Sequence, residues 1–324
     1  MEDTSRQRHG ILRGVHVLDG GMASELEYRG ANIDGPLWSA HVLEDAPEKI
    51  AAVHRTYIEA GAECIETASY QVSRMGYAEC GMRPERADAA LLRAVELARG
   101  VASDFPERRV VVAASLGPYG AALHNGAEYH GNYDCGFDEL VRFHRERIEV
   151  FARATGAQVP DLLAFETFPS LDEARAVCEA IAPWPELHPT GQRSPGGGPG
   201  LRAWFSFSCR DAERVAHGER LRECVEVVAR LAQTVAIGVN CTAPKFITAL
   251  ISELRAASDK PIIVYPNSGE GWDSARRCWT GVSDPADFGA RAAEWFKAGA
   301  QIVGGCCRTR PAHIREVAQA AANL

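Results

Sequence analysis

The chain alternates short apolar segments with longer segments of helical periodicity, and this alternation limits its fold more than any other feature. The short segments are apolar and often β-branched, which is typical of buried strands. The longer ones repeat apolar residues at helical spacing, as in Pro47–Ala60. Eight such units follow one another. The predicted strands are Val15–Leu18, Cys64–Thr67, Arg109–Leu116, Asp161–Phe165, Leu201–Ser208, Val235–Val239, Pro261–Tyr265 and Gln301–Val303.

Repeated strand–helix units predict an α/β fold in which helices cover a parallel sheet. Eight units that close on themselves form a single (β/α)8 barrel of the TIM type, with its active site at the C-terminal ends of the strands. A doubly wound open sheet is the alternative, but no GxGxxG motif follows the first predicted strand. We therefore predict a polar N-terminal lead-in over residues 1–14 and one barrel domain over residues 15–324. A Pro/Gly-rich excursion at 183–200 interrupts the alternation without ending it.

Charge and composition exclude several classes of protein. The net charge of −8 disfavours binding to nucleic acid or to an anionic membrane. The N-terminal residues lack the apolar stretch of a secretory signal, and no apolar run approaches the roughly 18 residues of a membrane span. Ten cysteines in such a chain predict a reducing, cytoplasmic compartment, where thiols stay free or bind metal.

Two adjacent cysteines, Cys306 and Cys307, follow the last predicted strand. Neighbouring side chains of a strand point to opposite faces, so both sulfurs can reach one metal only if the backbone turns, as Gly304-Gly305 permit. A third cysteine, Cys241, follows the sixth predicted strand. Three thiolates and one open position form a catalytic type of zinc site. Burial of these cysteines as small apolar residues is an alternative, and so is a disulfide within the adjacent pair.

Further polar residues lie at other predicted strand ends, where a barrel has its active site. Asp19 precedes Gly20-Gly21, and taken alone it is more typical of a turn. Thr67 is an ordinary strand residue. Glu166 directly follows an apolar run, so its carboxylate needs a partner. That partner is either an arginine of the protein or the ammonium group of a substrate.

Two sequence motifs near the cysteines are highly specific: GVNC at 238–241 and GGCCRT at 304–309. Moderately specific segments accompany them at 18–26, 37–40, 67–71, 115–120, 165–167 and 265–269. Together they resemble the homocysteine S-methyltransferases, most closely the branch that uses S-methylmethionine as the methyl donor. The resemblance extends over roughly residues 12–320.

The resemblance implies a reaction and a set of site residues. A methyl group would pass from a sulfonium donor, S-methylmethionine or S-adenosylmethionine, to L-homocysteine, giving methionine without cobalamin or folate. One zinc ion would be held by Cys241, Cys306 and Cys307, with the fourth position open for the homocysteine sulfur. Glu166 would pair with the substrate ammonium group. The implied homocysteine-binding residues are Asp19, Gly20, Gly21, Thr67 and Glu166.

The donor site is less defined by the sequence. Aromatic faces or carboxylates can surround a sulfonium cation, and two loops offer such residues, although ordinary loop chemistry explains each equally well. The candidates are Tyr119, Glu128, Tyr129 and Tyr133 in the loop 117–136, and Asn267, Ser268, Glu270 and Trp272 after the seventh predicted strand.

Two rival functions fit part of the pattern. A barrel aldolase, isomerase or phosphate-ester enzyme could use Gly304-Gly305 as a phosphate loop, but lysine is scarce at the predicted strand ends. A zinc-binding thiol protein with a storage or redox-sensing role could use the cysteines without methyl transfer. Storage favours four ligands rather than three.

Overall fold

A computed structural model describes residues 10–33, 37, 39–184, 200–273, 278–281 and 283–324. At its centre lies a parallel sheet of seven strands, which follow one another across the sheet in chain order. Each of these seven strands begins and ends within three residues of a predicted one. The strands are β1 Cys64–Glu66, β2 Val111–Leu116, β3 Leu162–Phe168, β4 Ala203–Phe207, β5 Thr234–Asn240, β6 Ile262–Tyr265 and β9 Ile302–Val303.

Helices follow the strands and pack against the sheet. Several begin with proline in the first turn, where its missing N–H leaves no hydrogen bond unmade. Gly61 and Gly299 end two of them in the left-handed conformation that glycine adopts without strain. The helices are α1 Met22–Tyr28, α2 Ser39–Asp45, α3 Pro47–Ala60, α4 Arg74–Glu79, α5 Pro84–Ser103, α6 Tyr119–Ala122, α7 Phe137–Ala152, α8 Leu171–Ile181, α9 Leu221–Ala229, α10 Ile247–Ala257, α11 Pro285–Ala298 and α12 Pro311–Ala321.

Both faces of the sheet are buried, which explains the continuous apolar runs of its strands. In β2, Val112 and Ala114 belong to the large cluster beneath the helices. Their neighbours Val111 and Ala113 belong to a smaller cluster on the other face, together with Trp204 and other strand residues. Since successive residues alternate between the two clusters, the sheet curls around an apolar interior of its own.

The predicted first strand, Val15–Leu18, differs from the prediction. Val17 forms a single parallel bridge to Val303 and Leu18 forms one to Cys64, so the segment touches both edge strands of the sheet. The N–H groups of His16 and Val17 donate to the Glu63 carboxylate, at 2.6 and 3.1 Å, instead of to a carbonyl of a neighbouring strand. The structure therefore contains a seven-stranded sheet joined by a bridging segment, rather than eight regular strands.

Other parts of the chain add to the predicted pattern. An antiparallel hairpin, β7 Gly271–Asp273 with β8 Cys278–Thr280, follows the loop after β6 and was not predicted. Residues 185–199 of the Pro/Gly-rich excursion and residues 1–9 of the lead-in lie outside the described residues. Among the described helices, none is long and apolar enough to cross a membrane.

We expect Gly238→Ala to destabilise the sheet beside the cysteines. Gly238 of β5 pairs with Ile263 of β6, and a Cβ atom there would overlap the Ile263 carbonyl oxygen. Forcing the strands apart should lower the free energy of unfolding by about 2 kcal/mol or more, measured by urea denaturation. Gly100→Ala is the control, because Gly100 is exposed in α5 and has open space around it. Equal effects of the two substitutions would contradict this account.

Candidate active site

The C-terminal ends of the strands open into a cavity of about 2100 Å³. This volume has room for two substrates of amino-acid size. The cavity brings together every site residue predicted from the sequence, although they come from widely separated parts of the chain. These residues are Asp19, Gly20, Gly21, Thr67, Glu166, Cys241, Cys306 and Cys307.

The three cysteine sulfurs converge at one side of this cavity, all within 4.8 Å of one another. The Cys307 sulfur lies 3.6 Å from that of Cys241 and 3.9 Å from that of Cys306. Cys241 and Cys306 are joined by a disulfide. The alternative of a disulfide between the adjacent cysteines is therefore wrong. The expectation that the cysteines are thiols or metal ligands applies to the reduced state of this pair, because its sulfurs belong to a group of three that could hold a metal ion.

The reduced cluster fits a tetrahedral metal ion such as zinc. Zinc–sulfur bonds of about 2.3 Å at tetrahedral angles place sulfurs about 3.8 Å apart, close to the two separations of Cys307. Burial raises the pKa of the Cys307 thiol to about 11, so a nearby cation is needed to make it a thiolate at neutral pH. Cys241, Cys306 and Cys307 could hold a metal once the disulfide is reduced.

Close packing of loops, rather than unusual backbone angles, explains the Gly304-Gly305 pair. Neither glycine has a left-handed φ; in the loops that carry the cysteines, Cys241 at 45° and Arg308 at 65° adopt that conformation instead. A Cβ on Gly304 would lie 2.6 Å from the Leu18 Cβ atom. The chain thus turns beside the glycines, and their small size lets the bridging segment pack against the cysteine loop.

Close packing also explains why glycine occupies positions 20 and 21. A Cβ on Gly21 would meet the carbonyl oxygen of Cys306, and one on Gly20 would meet the ring of Tyr57. The Thr309 hydroxyl accepts from the Gly21 N–H at 3.1 Å and donates to the Cys306 carbonyl at 2.6 Å. These contacts hold the predicted substrate-binding loop against the cysteine loop. Tyr57 was not predicted as part of the site, since it lies in α3, far from any strand end.

Three carboxyl groups form a second cluster in the cavity: Asp19, Glu66 and Glu166. The Glu66 N–H donates to the Asp19 carboxylate at 3.0 Å. Burial, opposed by the hydrogen bond from Glu66, raises the pKa of Asp19. Burial and the nearby charges of Glu166 and Asp19 raise that of Glu66. Burial raises the pKa of Glu166 to about 7 even though the Ser115 hydroxyl donates to it.

This carboxyl cluster has no basic partner among the described residues. No arginine or lysine is among the groups that set the three pKa values. Of the two partners considered for Glu166 from the sequence, a protein arginine is thus absent from the described surroundings. The cluster can be neutralised by protons or by a cationic ligand.

A β-bulge aims Glu166 into the cavity. The pairing of β3 with β4 shifts register between Phe165 and Phe168, and Thr167 has a left-handed φ of 62°. The Asn240 side chain accepts from the Thr167 N–H at 2.8 Å and donates to the Thr167 hydroxyl at 2.7 Å. Bulges of this kind redirect side chains beside active sites. Asn240 therefore positions Glu166, a role that its place in the GVNC motif did not reveal.

The Thr67 hydroxyl is already engaged within the protein. It lies 2.6 Å from the Ser69 hydroxyl and accepts from the Ser115 N–H at 3.1 Å. Thr67 lines the cavity, but these contacts show that it also ties β1 to β2. Sequence reasoning missed Ser115 and Glu66. The signal for Glu66 was available, since it follows an apolar strand residue just as Glu166 does.

The loop 117–136 divides its candidate residues between the cavity and the scaffold. Glu128 and Tyr129 line the cavity, and Tyr129 lies close enough to Cys307 for each to shift the pKa of the other. Tyr119 and Tyr133 instead bind carboxylates of helices, with the Tyr133 hydroxyl donating to Glu173 at 2.7 Å and that of Tyr119 to Glu139 at 2.9 Å. Of the candidates after β6, Asn267, Ser268 and Glu270 line the cavity, whereas the Trp272 side chain lies outside the described structure.

Clustered thiols beside an anionic pocket in a parallel α/β fold define a candidate metalloenzyme centre for a substrate that carries an amino group. The chain belongs to the homocysteine S-methyltransferase family, whose sequence profile matches residues 16–321. The predicted enzyme class is thereby confirmed, and with it methyl transfer to homocysteine.

Relatives resemble the chain over nearly its whole length. Homocysteine S-methyltransferase YbgG of Bacillus subtilis is 40% identical, over 95% of both chains. Homocysteine S-methyltransferase 2 of Zea mays is 42% identical, over 98% of this chain and 92% of its own. The homocysteine methyltransferase MmuM of Escherichia coli, solved in a metallated form, has a TM-score of 0.79 at 38% identity and covers 95% of this chain and 99% of its own.

We expect Glu166→Gln to change how stability depends on pH. A carboxyl whose pKa rises from 4.5 to about 7 on folding binds more protons in the folded state. The wild type should therefore lose about 3 kcal/mol of stability as the pH rises from about 4.5 to 7. A glutamine side chain does not titrate. The free energy of unfolding of Glu166→Gln, relative to that of the wild type, should therefore increase as the pH rises across this range.

Urea denaturation of both proteins at pH 4.5 and pH 8, without homocysteine, measures this difference. His54 and His144 are buried with pKa values lowered to about 4, so they change stability in the opposite direction. Both proteins contain these histidines, and their contribution cancels in the comparison. A difference between the proteins that stays constant with pH would show that Glu166 ionises normally.

Proposed function

We propose that the protein transfers a methyl group from a sulfonium donor to the thiol of L-homocysteine, with one zinc ion held by Cys241, Cys306 and Cys307. The observation that carries this proposal is the convergence of three cysteine sulfurs beside a buried carboxyl cluster that has no basic partner among the described residues. A cluster of this composition suits a substrate that has both a thiol and an ammonium group.

Zinc at this site would supply positive charge that lowers the pKa of a nearby thiol. The metallated form of the Escherichia coli relative supports a metal in this chain. Because Cys241 and Cys306 must be reduced to act as ligands, a reducing cytoplasm suits the proposed activity.

The residues around the cysteines would hold homocysteine. Glu166 binds the ammonium group, since its carboxyl is buried and the bulge directs it into the cavity. Asp19 lies in the same cluster, and one of its oxygens has no hydrogen-bond partner among the described residues. Gly20, Gly21 and Thr67 line the wall beside them. These contacts would fix the amino-acid end of the substrate and leave its sulfur near the cysteines.

Glu128, Tyr129 and Tyr70 form the most suitable surroundings for a sulfonium donor. One oxygen of Glu128 is buried without a hydrogen-bond partner among the described residues, and burial raises the pKa of this carboxyl to about 7. The Glu128 carboxylate lies close enough to Tyr70 to raise its pKa, and Tyr129 lies beside Cys307. A carboxylate and aromatic rings stabilise a cation in this way. The sequence motifs favour S-methylmethionine over S-adenosylmethionine as that cation.

The transfer itself needs alignment more than further chemistry. The homocysteine sulfur attacks the methyl carbon, the bond from that carbon to the sulfonium sulfur breaks, and its electron pair remains on the departing thioether. The thiol proton goes to solvent, and the acceptor becomes methionine. Holding both substrates in line accounts for much of the expected acceleration. Direct transfer from a sulfonium requires neither cobalamin nor folate.

We also propose that an eighth strand position closes the sheet into a barrel. The segment Val15–Leu18 bridges both edge strands, so it occupies the place of an eighth strand. On this basis the seven strands and the segment form one closed (β/α)8 barrel over residues 15–324.

The alternative of a redox-sensing thiol protein is favoured by one observation, the Cys241–Cys306 disulfide. It leaves the carboxyl cluster and the cavity without a role. Methyl transfer uses both features, and the disulfide is then the oxidised state of the metal ligands.

Methionine formation from L-homocysteine and S-methylmethionine tests the proposal. The reduced protein should turn over these substrates, lose activity by more than about a hundredfold after chelation of the metal, and regain it with added zinc. Cys306→Ser should fail to regain it, whereas Cys80→Ser should, because Cys80 is a free cysteine at the end of α4. Turnover by a metal-free protein would disprove the zinc site, and turnover with S-adenosylmethionine alone would disprove the choice of donor.

We expect Glu128→Gln to weaken use of the donor alone. Loss of the carboxylate should raise the KM for S-methylmethionine by about tenfold, because a hydrogen-bonding or charge contact to a cation is removed. The KM for homocysteine should stay unchanged. Glu139→Gln is the control, since Glu139 lies in α7 and binds Tyr119 on the scaffold side of the same loop. An equal effect on both KM values would place Glu128 outside the donor site.

A further inference from the structure

Glu66 ends β1 near the carboxyl groups of Asp19 and Glu166. Its N–H donates to the Asp19 carboxylate at 3.0 Å, and its carboxyl group lies close enough to that of Glu166 for each to shift the pKa of the other. Two neighbouring buried carboxyl groups resist ionising together, so the Glu66–Glu166 pair keeps a shared proton while no cation is bound. Glu66 also lines the cavity.

The two members of this pair differ in how the protein satisfies them. Glu166 accepts a hydrogen bond from the Ser115 hydroxyl and a longer one, 3.4 Å, from Asn240. One carboxyl oxygen of Glu66, Oε1, is buried and has no hydrogen-bond partner within the described residues. The protein therefore supports Glu166 with neutral donors and leaves Glu66 with an unused acceptor.

Among the described residues, no titratable group that faces Glu66 offers a positive charge. Asp19 approaches from the loop after the bridging segment, Glu166 from β3 and Tyr265 from the end of β6, and Cys64 lies on the same strand. All of these are acids. A third carboxyl at this position makes the folded protein less stable, so its presence points to a ligand rather than to the scaffold.

The free acceptors match an ammonium group. Such a group has three N–H donors, and the cluster offers Oε1 of Glu66, Oδ1 of Asp19 and the carboxylate of Glu166. Both unpartnered oxygens are buried, and Asp19 is only 1% exposed. An ammonium group that enters the cluster replaces the shared proton, which leaves to solvent, and converts an acid pair into a charge-assisted contact.

We propose that Glu66 is a further homocysteine-binding residue that holds the substrate ammonium group together with Glu166. This inference rests on the proposed function, because it takes homocysteine as the ligand of this cavity. Glu66 is here a specificity residue: it recognises the amino group and takes no part in the reaction at sulfur.

Two probes that differ only in the amino group separate this role from a structural one. Calorimetric titration of the reduced, zinc-loaded protein with L-homocysteine and with 4-mercaptobutanoate, its analogue without the amino group, gives both affinities. Glu66→Gln should weaken homocysteine binding by about tenfold or more, as expected for loss of a charged hydrogen bond. The affinity for 4-mercaptobutanoate should change less than about twofold, since that probe has no ammonium group that could contact Glu66.

A control variant and a stability measurement complete the experiment. Asp287→Asn removes a carboxylate at the exposed rim of the same cavity, where it is paired with Arg291, and should bind both probes as the wild type does. The thermal midpoint of Glu66→Gln should equal or exceed that of the wild type at pH 8, because a buried charge is removed.

Equal weakening of both probes by Glu66→Gln, or no weakening of either while the wild type binds homocysteine, would overturn the role of Glu66 alone. A lowered thermal midpoint with equal weakening would assign Glu66 to the scaffold. A wild type that binds neither probe would overturn the proposed function and this inference with it.

Discussion

Close contact between neighbouring backbones is the constraint on which the site depends. Gly238 lies against the Ile263 carbonyl, Gly304 against Leu18, and Gly21 against the carbonyl of Cys306. At each of these positions a side chain would push two segments apart. Because the segments carry the cysteines at their ends, a displacement of about an ångström there would separate sulfurs that now lie within 4.8 Å.

The polar half of the site is built in the opposite way, by groups that weaken the folded state. Asp19, Glu66 and Glu166 all have raised pKa values because of burial. Such a cluster lowers stability until a cation enters it, so the binding energy of an ammonium group includes relief of this repulsion. The large apolar core on both faces of the sheet compensates for this loss of stability.

A buried network behind the sheet holds the loop that covers the site. Glu173 accepts from the Tyr119 N–H, from His144 at 2.9 Å and from the Tyr133 hydroxyl at 2.7 Å. Arg147 donates to the Gly117 carbonyl at the start of the loop. The loop is therefore anchored from α7 and α8, and Glu128 and Tyr129 extend from a fixed base toward Cys307.

The sequence by itself determined the kind of fold and the chemistry of the cysteines. Apolar period and breaking residues are local properties, so seven strands and Pro47–Ala60 were predicted closely, and the strand-end motifs placed Cys241, Cys306 and Cys307 together. Only the tertiary structure decided that Val15–Leu18 bridges two edges, that Cys241 bonds to Cys306, and that Glu66 faces Glu166. These outcomes depend on strand register and on which atoms of distant segments meet. Periodicity along the chain contains no information about such distances.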